Sequence, residues 1–139
     1  MGRFEELPHT ADLKLRFYGK DLKDLFQTAA LGLFSSLTEL PKIEGKETLS
    51  LSVSAPNKEE LLYQWLRHLY LKFAVDEYLL KECIIEEISR THIKAHASGE
   101  RYAPARHCIL HEIKGITYCD LKVEQEKDGS WQAEAVFDV

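Results

Sequence analysis

The residues best suited to chemistry lie near the two ends of the chain. His9-Thr10-Ala11-Asp12 places an imidazole and a carboxylate directly before the alternating run Leu13-Lys14-Leu15-Arg16-Phe17. At the other end, Asp138 precedes Val139, so a side-chain carboxylate adjoins the terminal one. Carboxylate oxygens are hard ligands that favour calcium, magnesium or manganese over zinc. They would form one site only if the fold brings the two ends together.

The C-terminal segment predicts a hairpin. Apolar residues alternate in 113–124 and again in 131–139, and polar residues separate the two runs. The two apolar faces coincide only if the turn has an odd number of residues, as in a three-residue loop with Gly129 in the left-handed conformation. We therefore predict this loop and a continuous first strand.

In this register Asp120 lies directly across from Asp138. Like charges in that position destabilise a sheet, so we expect them to be neutralised. A bound cation or a raised carboxyl pKa would do so, and so would Lys122 or Lys114. If a neighbouring strand brought Asp12 close, hard oxygen ligands would gather at one place. The residue types alone leave a metal site and a simple ion pair equally open.

Other histidines and cysteines give weaker signals. His92 and His96 have a spacing that suits a metal on a helix, but on a strand they lie about 13 Å apart, so we interpret them as surface residues. His107-Cys108-x-x-His111 lacks the second ligand pair of a structural zinc site. Cys119 falls on the predicted buried face, where a thiol behaves as a small hydrophobe. Phosphate-binding loops and nucleophile elbows are absent from the sequence, which therefore does not favour an independent enzyme.

Two amphipathic helices interrupt the predicted strands. Asp21 is a good N-cap for a helix that ends near Thr38, and Asn57 caps a second helix. Between them, 49–55 alternates apolar residues with serines, as a half-buried strand does. The order β-α-β-α-β-β-β predicts an α+β fold in a single domain, 1–139, with a mixed or antiparallel sheet.

Composition limits the functional classes. The 139 residues carry 18 basic and 23 acidic side chains, a net charge of −5 without a basic stripe, which argues against strong direct nucleic-acid binding. No apolar run approaches the roughly 20 residues that span a membrane, and no secretion signal precedes the first strand. The odd number of cysteines, without CxxC spacing, suits a reducing cytoplasm.

Four segments together resemble the archease family: E-E-L-P-H-T-A-D (5–12), 18–34, E-I-K-G-I-T-Y-C-D-L-K-V-E (112–124) and the terminal F-D-V. The resemblance covers essentially the whole chain in the same order. It implies a small cytoplasmic α+β protein that assists a GTP-dependent tRNA-splicing RNA ligase without being a ligase itself. Such a protein promotes attachment of guanylate to the ligase's active-site histidine and allows multiple turnovers.

The resemblance also implies site residues. Asp12, Asp138 and the main chain of Val139 correspond to a divalent metal site, with calcium the expected ion and magnesium or manganese as alternatives. Residues expected to orient these ligands or to face the ligase are His9, Arg106, His107, Lys114 and Asp120.

This chain departs from the family pattern at three places. Cys119 stands where histidine is common, Pro8 where an acidic residue is common, and the loop 108–110 is more apolar than expected. These departures concern the surroundings of the site and leave both aspartates in place. Two other functions remain open: a general chaperone or protein-binding module with an incidental ion, and a metal-dependent hydrolase.

Overall fold

The computed structural model describes residues 2–8 and 12–139. Within them, the strands and helices follow one another in the order β1 (Arg3–Leu7), β2 (Asp12–Gly19), α1 (Leu22–Leu37), a short 3-10 turn (Leu40–Lys42), β3 (Glu47–Ser54), α2 (Lys58–Ala74), β4 (Tyr78–Ile88), β5 (His92–Arg101), β6 (Gly115–Ile116), β7 (Lys122–Gln125) and β8 (Trp131–Asp138). The two helices and the α+β class are confirmed. The described strands outnumber those predicted and include β1, which the sequence pattern did not predict.

Both helices begin at the predicted caps. The Asp21 carboxylate accepts a hydrogen bond from the Asp24 backbone N–H at 2.7 Å, and the Asp24 carboxylate accepts one from the N–H of Lys20 at 3.0 Å. In α2, the Asn57 side-chain oxygen accepts from the Glu60 N–H at 2.8 Å. The bonds from the Asp24 and Glu60 N–H groups satisfy donors that the first turn of a helix leaves without an intrahelical partner, and the bond from Lys20 fixes the residue before the cap.

The strands form two antiparallel sheets. In the first sheet the order is β1-β2-β8, and β6 and β7 both pair with the far side of β8. The second sheet has the order β3-β5-β4. Since β8 is the last strand along the chain and has neighbours on both sides, the start and the end of the protein meet in the middle of the first sheet.

The helices fill the space next to both sheets. Helix α1 contacts β2 of the first sheet and β4 of the second, and α2 packs against α1. At the contact with β2, a Cβ on Gly32 would lie 2.7 Å from the Phe17 ring, so glycine allows the close approach. Trp65 of α2 is fully buried and donates its indole N–H to the Phe26 carbonyl at 2.9 Å. Trp65 is thus a core residue of α2.

The C-terminal hairpin has the predicted turn. The Glu126 N–H donates to the Ser130 carbonyl at 2.7 Å, which leaves three residues in the loop, and Gly129 has φ +92°. The predicted continuous first strand is wrong, however. Strand β6 ends at Ile116 and β7 begins only at Lys122, so an irregular segment interrupts the edge.

Two predictions that depended on the continuous strand and its register are wrong. Strand β7 pairs Lys122 with Glu134, whereas the predicted register pairs Lys122 with Val136. Asp120 does not lie across from Asp138: Gly115 occupies that position, and Asp120 sits in the irregular segment with φ +51°. Cys119 is exposed rather than buried. Within 117–121 the backbone no longer alternates, so the period-two pattern of the sequence assigned these side chains to the wrong faces.

The histidines of β5 lie on the solvent side of the second sheet. His92 contacts the Ser54 hydroxyl at 3.0 Å, and His96 contacts Glu86 at 3.2 Å. The His96 side chain is 44% exposed. Each imidazole has its own partner, in agreement with the interpretation as surface residues. In the described part of the chain, neither helix has the length and hydropathy to cross a membrane.

Candidate metal site at the junction of the chain ends

Strands β2 and β8 place the two candidate aspartates directly opposite each other. Asp12 pairs with Asp138 in the antiparallel register, and the next pair is Leu13 with Phe137. Leu13 and Phe137 are buried in the core, so by alternation Asp12 and Asp138 belong to the other face of the sheet. Directly opposite residues have Cβ atoms about 4.5–5.5 Å apart, so the two carboxylates are close neighbours.

Strand β6 fixes the other side of Asp138. Gly115 is paired with Asp138, and the N–H of Lys114 donates to the Asp138 carbonyl at 2.7 Å. Asp138 is therefore held between two strands up to the last residue of β8. Beyond it, Val139 is 41% exposed and follows the aspartate pair at the surface.

We call the face of the first sheet that carries Asp12, Lys14 and Arg16 the outer face. Next to the aspartate pair, the Lys14 ammonium lies 3.3 Å from Asp120 and 3.4 Å from Glu134. Arg16 follows, with its guanidinium 2.7 Å from Glu134. Lys14 therefore takes the neutralising role that the sequence suggested for Lys122 or Lys114, and it does so for Asp120.

Glu134 is buried beneath these cations, with a side chain only 7% exposed. Burial by itself would raise its pKa, but the hydrogen bond from Arg16 and the charge of Lys122 hold the pKa of the Glu134 carboxyl below its usual value. The outer face thus carries two acidic residues, Asp12 and Asp138, at its end. Next to them, Lys14 and Arg16 surround the ionised carboxylate of Glu134.

The donor set at the end of the outer face suits a hard divalent ion. Asp12 and Asp138 are paired across the two strands, and Val139 directly follows Asp138. A bound cation would relieve the repulsion of like charges directly across a sheet. Within residues 2–8 and 12–139, no cluster of three or more His, Cys, Asp or Glu side chains is placed to hold a metal. Such an ion would therefore need main-chain or external oxygens as further ligands. His9 lies outside the described residues.

Arg106 and His107 belong to a second group of charges, the Glu100 cluster, which comprises Glu100, Arg106, His107 and Glu44. Arg106 donates two hydrogen bonds to the Glu100 carboxylate, at 2.7 and 3.1 Å. The Glu44 N–H donates to the same carboxylate at 2.7 Å. These bonds fasten the loop after β5 to the segment that precedes β3.

His107 is buried within this cluster and both of its ring nitrogens are engaged. Nδ1 accepts from the Ala103 N–H at 2.9 Å, which leaves Nε2 as the proton-bearing nitrogen that donates to Glu100 at 3.0 Å. A soft-metal site at His107-Cys108-x-x-His111 would have to break these bonds. Because its side chain is 0% exposed, His107 supports the loop from inside and offers a partner no surface.

Glu100 was missed at the sequence level. It stands at the end of β5 as one of many charged residues, yet its side chain is 5% exposed. The hydrogen bond from Arg106 is the largest cause that lowers the pKa of Glu100 to about 2. The sequence signal for Glu100 was the nearby pair Arg106-His107 in the polar loop. If these two side chains fold inward, they need an anionic partner.

Lys114 adjoins an apolar groove formed by Tyr70, Phe73, Ile109 and Ile113, which we call the α2 groove. The groove encloses about 470 Å³. The Tyr70 hydroxyl donates to the Ile113 carbonyl at 2.8 Å and so joins the helix to the segment before β6. The structure therefore brings the Lys114 backbone to Asp138 and places its side chain along the groove.

Tyr118 is a second residue whose contacts the sequence pattern did not predict. Its ring stacks on Tyr63 of α2 with centroids 3.8 Å apart, and its hydroxyl donates to Glu60 at 2.9 Å. Local loss of solvent at the hydroxyl and the hydrogen bond to Glu60 raise the pKa of Tyr118 to about 12, so its hydroxyl stays protonated. This contact fastens the irregular segment 117–121 to α2 and thereby fixes the position of Asp120.

Comparisons with known proteins agree with the sequence pattern. The model of the Archease protein family matches residues 4–139. The chain is 39% identical to protein archease of Methanosarcina acetivorans, over 99% of this chain and 96% of that protein. It is 35% identical to protein archease of Pyrococcus abyssi, over the full length of both.

Two solved structures share the fold. The solution structure of a Methanobacterium thermoautotrophicum protein matches with a TM-score of 0.79 and 26% identity, covering 98% of each chain. The crystal structure of a Thermotoga maritima archease, described as a possible chaperone, matches with a TM-score of 0.65 at 18% identity and 97% coverage of this chain. The full-length match to the family model and to curated relatives, together with this fold, shows that the chain belongs to the archease family.

Proposed function

We propose that this protein is a non-catalytic activator of a GTP-dependent tRNA-splicing RNA ligase. It promotes guanylylation of the ligase's active-site histidine and supports multiple turnover. The proposal extends the ligase-assisting role that the family resemblance implies. The observation that supports it most directly is the pairing of Asp12 with Asp138, which unites the two ends of the chain in one acidic site.

In this proposal a divalent ion, preferably calcium, is held by Asp12, Asp138 and Val139. Bound there, the ion supplies positive charge at an otherwise acidic corner. The backbone bond from Lys114 to Asp138 keeps that corner in place. Magnesium and manganese have the same preference for oxygen and are the alternatives.

The other charges favour a protein partner over RNA. The net charge of −5 opposes direct contact with a phosphate backbone. On the outer face, Lys14 and Arg16 are engaged with Glu134 and Asp120. RNA contacts would then belong to the ligase. Three free thiols, Cys83, Cys108 and Cys119, are compatible with the proposed cytoplasmic location.

The activator proposal is tested by mixing the protein with its cognate ligase and GTP and following covalent guanylate on the ligase. We expect the wild type to accelerate guanylylation. With Asp12→Ala or Asp138→Ala, the acceleration should be at least about tenfold smaller. Glu86→Ala is the matched control, because it removes an exposed carboxylate on the second sheet.

Each outcome has a definite meaning. No acceleration by the wild type would overturn the activator proposal. Acceleration that survives both aspartate substitutions would overturn only the metal part. Phosphoester turnover by the protein alone would point instead to a metal-dependent hydrolase.

A second candidate is a chaperone or protein-binding module with an incidental ion. The observation that favours it is exposed apolar surface beside the α2 groove, where Leu110, the neighbour of Ile109, is 50% exposed. Suppression of the aggregation of unrelated unfolded proteins, retained in Asp138→Ala and lost in Leu110→Ser, would support it. Failure to suppress aggregation would remove it.

A further inference from the structure

Gly115 occupies the third position of the row that carries the two aspartates. Across the first sheet, Asp12 of β2 pairs with Asp138 of β8, and Asp138 pairs with Gly115 of β6. Directly opposite residues share a face, so a side chain at position 115 would stand beside the Asp138 carboxylate on the outer face. Glycine leaves that position vacant.

The fold does not require glycine there. A Cβ at position 115 would meet no atom of the described residues within 4 Å, in contrast to Gly32, where it would approach the Phe17 ring. Nor does Gly115 have the left-handed backbone conformation, which among the glycines is found at Gly129. Glycine also weakens a strand, because it loses more conformational entropy on folding and has no side chain to pack.

A glycine in a strand without a steric or conformational reason often marks a place where a ligand or another backbone comes close. Here the vacant position lies at the edge of the sheet, since β6 pairs with β8 alone among the described strands. A calcium ion takes six to eight oxygen ligands, and if each carboxylate binds through one oxygen, Asp12, Asp138 and Val139 supply only some of them. External oxygens would then complete its coordination.

We propose that Gly115 keeps one side of the Asp12–Asp138 site open, so that an anionic oxygen group of a partner can reach an ion held there. This inference rests on the proposed function. It assigns to Gly115 control of access to the site, while ion binding stays with the aspartates. A phosphate oxygen and a carboxylate oxygen share the required chemistry.

The test compares Gly115→Val with wild type and with Gly115→Ala, using terbium as a luminescent substitute for calcium. Luminescence lifetimes in H2O and D2O count the water molecules on the bound ion. We expect Gly115→Val to bind terbium within about threefold of wild type, but with at least one bound water fewer. Inorganic phosphate or acetate should displace water from the wild type and from Gly115→Ala, and much less from Gly115→Val. Phosphate and acetate, run in parallel, distinguish the two kinds of oxygen group.

Ligase guanylylation gives the second readout. We expect the acceleration of guanylylation to be at least fivefold smaller with Gly115→Val than with wild type. Gly115→Ala should keep most of the acceleration. Ser52→Val places valine at an exposed strand position of the second sheet and is the control for side-chain bulk and strand propensity. The melting temperature of Gly115→Val should equal or exceed that of wild type, because valine favours strands.

The outcomes separate this inference from the proposed function. If wild type binds no terbium, the metal site itself fails. If wild type binds terbium and Gly115→Val retains the same bound water and the same acceleration, only the role of Gly115 is overturned. Loss of acceleration in Ser52→Val as well would also overturn it, because the effect would then not depend on the site.

Discussion

Glu100 shows how a single residue can organise a loop. Its carboxylate is buried and accepts hydrogen bonds from Arg106, His107 and the backbone of Glu44. Those donors belong to segments that are distant along the chain, so the carboxylate links the loop after β5 to the segment before β3. Breaking a buried ion pair on one side leaves the remaining charge uncompensated, which makes such a link sensitive to substitution.

We predict that Glu100→Ala lowers the free energy of unfolding by about 3 kcal/mol, the lower end of the range for buried pairs, because Arg106 remains 40% exposed. Urea unfolding at pH 7 measures this loss. Glu86→Ala removes a carboxylate from a pair whose side chains are 43–44% exposed, and should cost less than about 1 kcal/mol.

The same substitution has a pH signature. The pKa of Glu100 is about 2 in the folded protein, below its ordinary value of 4.5, so the carboxylate stabilises the fold fully above the unfolded pKa. That contribution disappears as the pH falls through the folded pKa. The difference in stability between wild type and Glu100→Ala should therefore shrink between about pH 4.5 and pH 2. A difference that stays constant over this range would contradict the assignment.

At the scale of elements, the sequence predicted what depends on local chemistry. Both helices begin at their predicted caps and the hairpin loop has Gly129 where expected, because caps and tight turns are decided by residues a few positions apart. Asp138 was suggested by residue type and the predicted hairpin register, and the family resemblance supplied Asp12 as its partner. Their pairing through β2 and β8 could not be predicted from local pattern, because it joins residues more than a hundred positions apart.

The prediction at Asp120 was wrong in register as well as in continuity, because β7 pairs Lys122 with Glu134 and not with Val136. A strand pattern assumes that side chains alternate, and the irregular segment 117–121 breaks that alternation. The Tyr118–Tyr63 stack and the Asp120–Lys14 ion pair hold this segment in place, and both are tertiary contacts. Glu100 escaped prediction for the same reason, since only the fold buries it.

The helix caps give a prediction at this scale. Asn57→Ala removes the acceptor for the Glu60 N–H at the start of α2 and should lower the free energy of unfolding by about 1 kcal/mol. Asn57→Asp retains a side-chain oxygen acceptor and should remain within a few tenths of a kcal/mol of wild type. Chemical denaturation of both variants checks the difference. Equal losses in both would show that the cap bond itself contributes little.

At the scale of the whole molecule, the proposed metal site predicts that ion binding and stability are coupled. Like charges directly opposite each other, as at Asp12 and Asp138, oppose the pairing of β2 with β8. A bound ion would offset this effect and add its binding free energy to the folded state, because the unfolded chain separates the ligands. For calcium at a hundred times its dissociation constant, the gain is about 2.7 kcal/mol.

We therefore predict a crossover between wild type and Asp138→Asn. In EDTA the variant should melt at the same temperature as wild type or higher, since the repulsion is gone. In saturating calcium the wild type should melt several degrees above the variant. Differential scanning calorimetry in the two buffers measures both values. A calcium-induced shift of equal size in the two proteins would place the ion elsewhere.

The position of β8 between β2 and the β6–β7 edge has a consequence for how the protein is made. During synthesis the hairpin of β1 and β2 emerges first, and the side of β2 that will receive β8 stays unpaired until 131–138 follows. Closing so long a loop is slow, so the first sheet should be completed late in folding. The two aspartates come together only at that moment. An ion bound between them would therefore mark a chain that has finished folding, and a partner that requires the ion would select finished molecules.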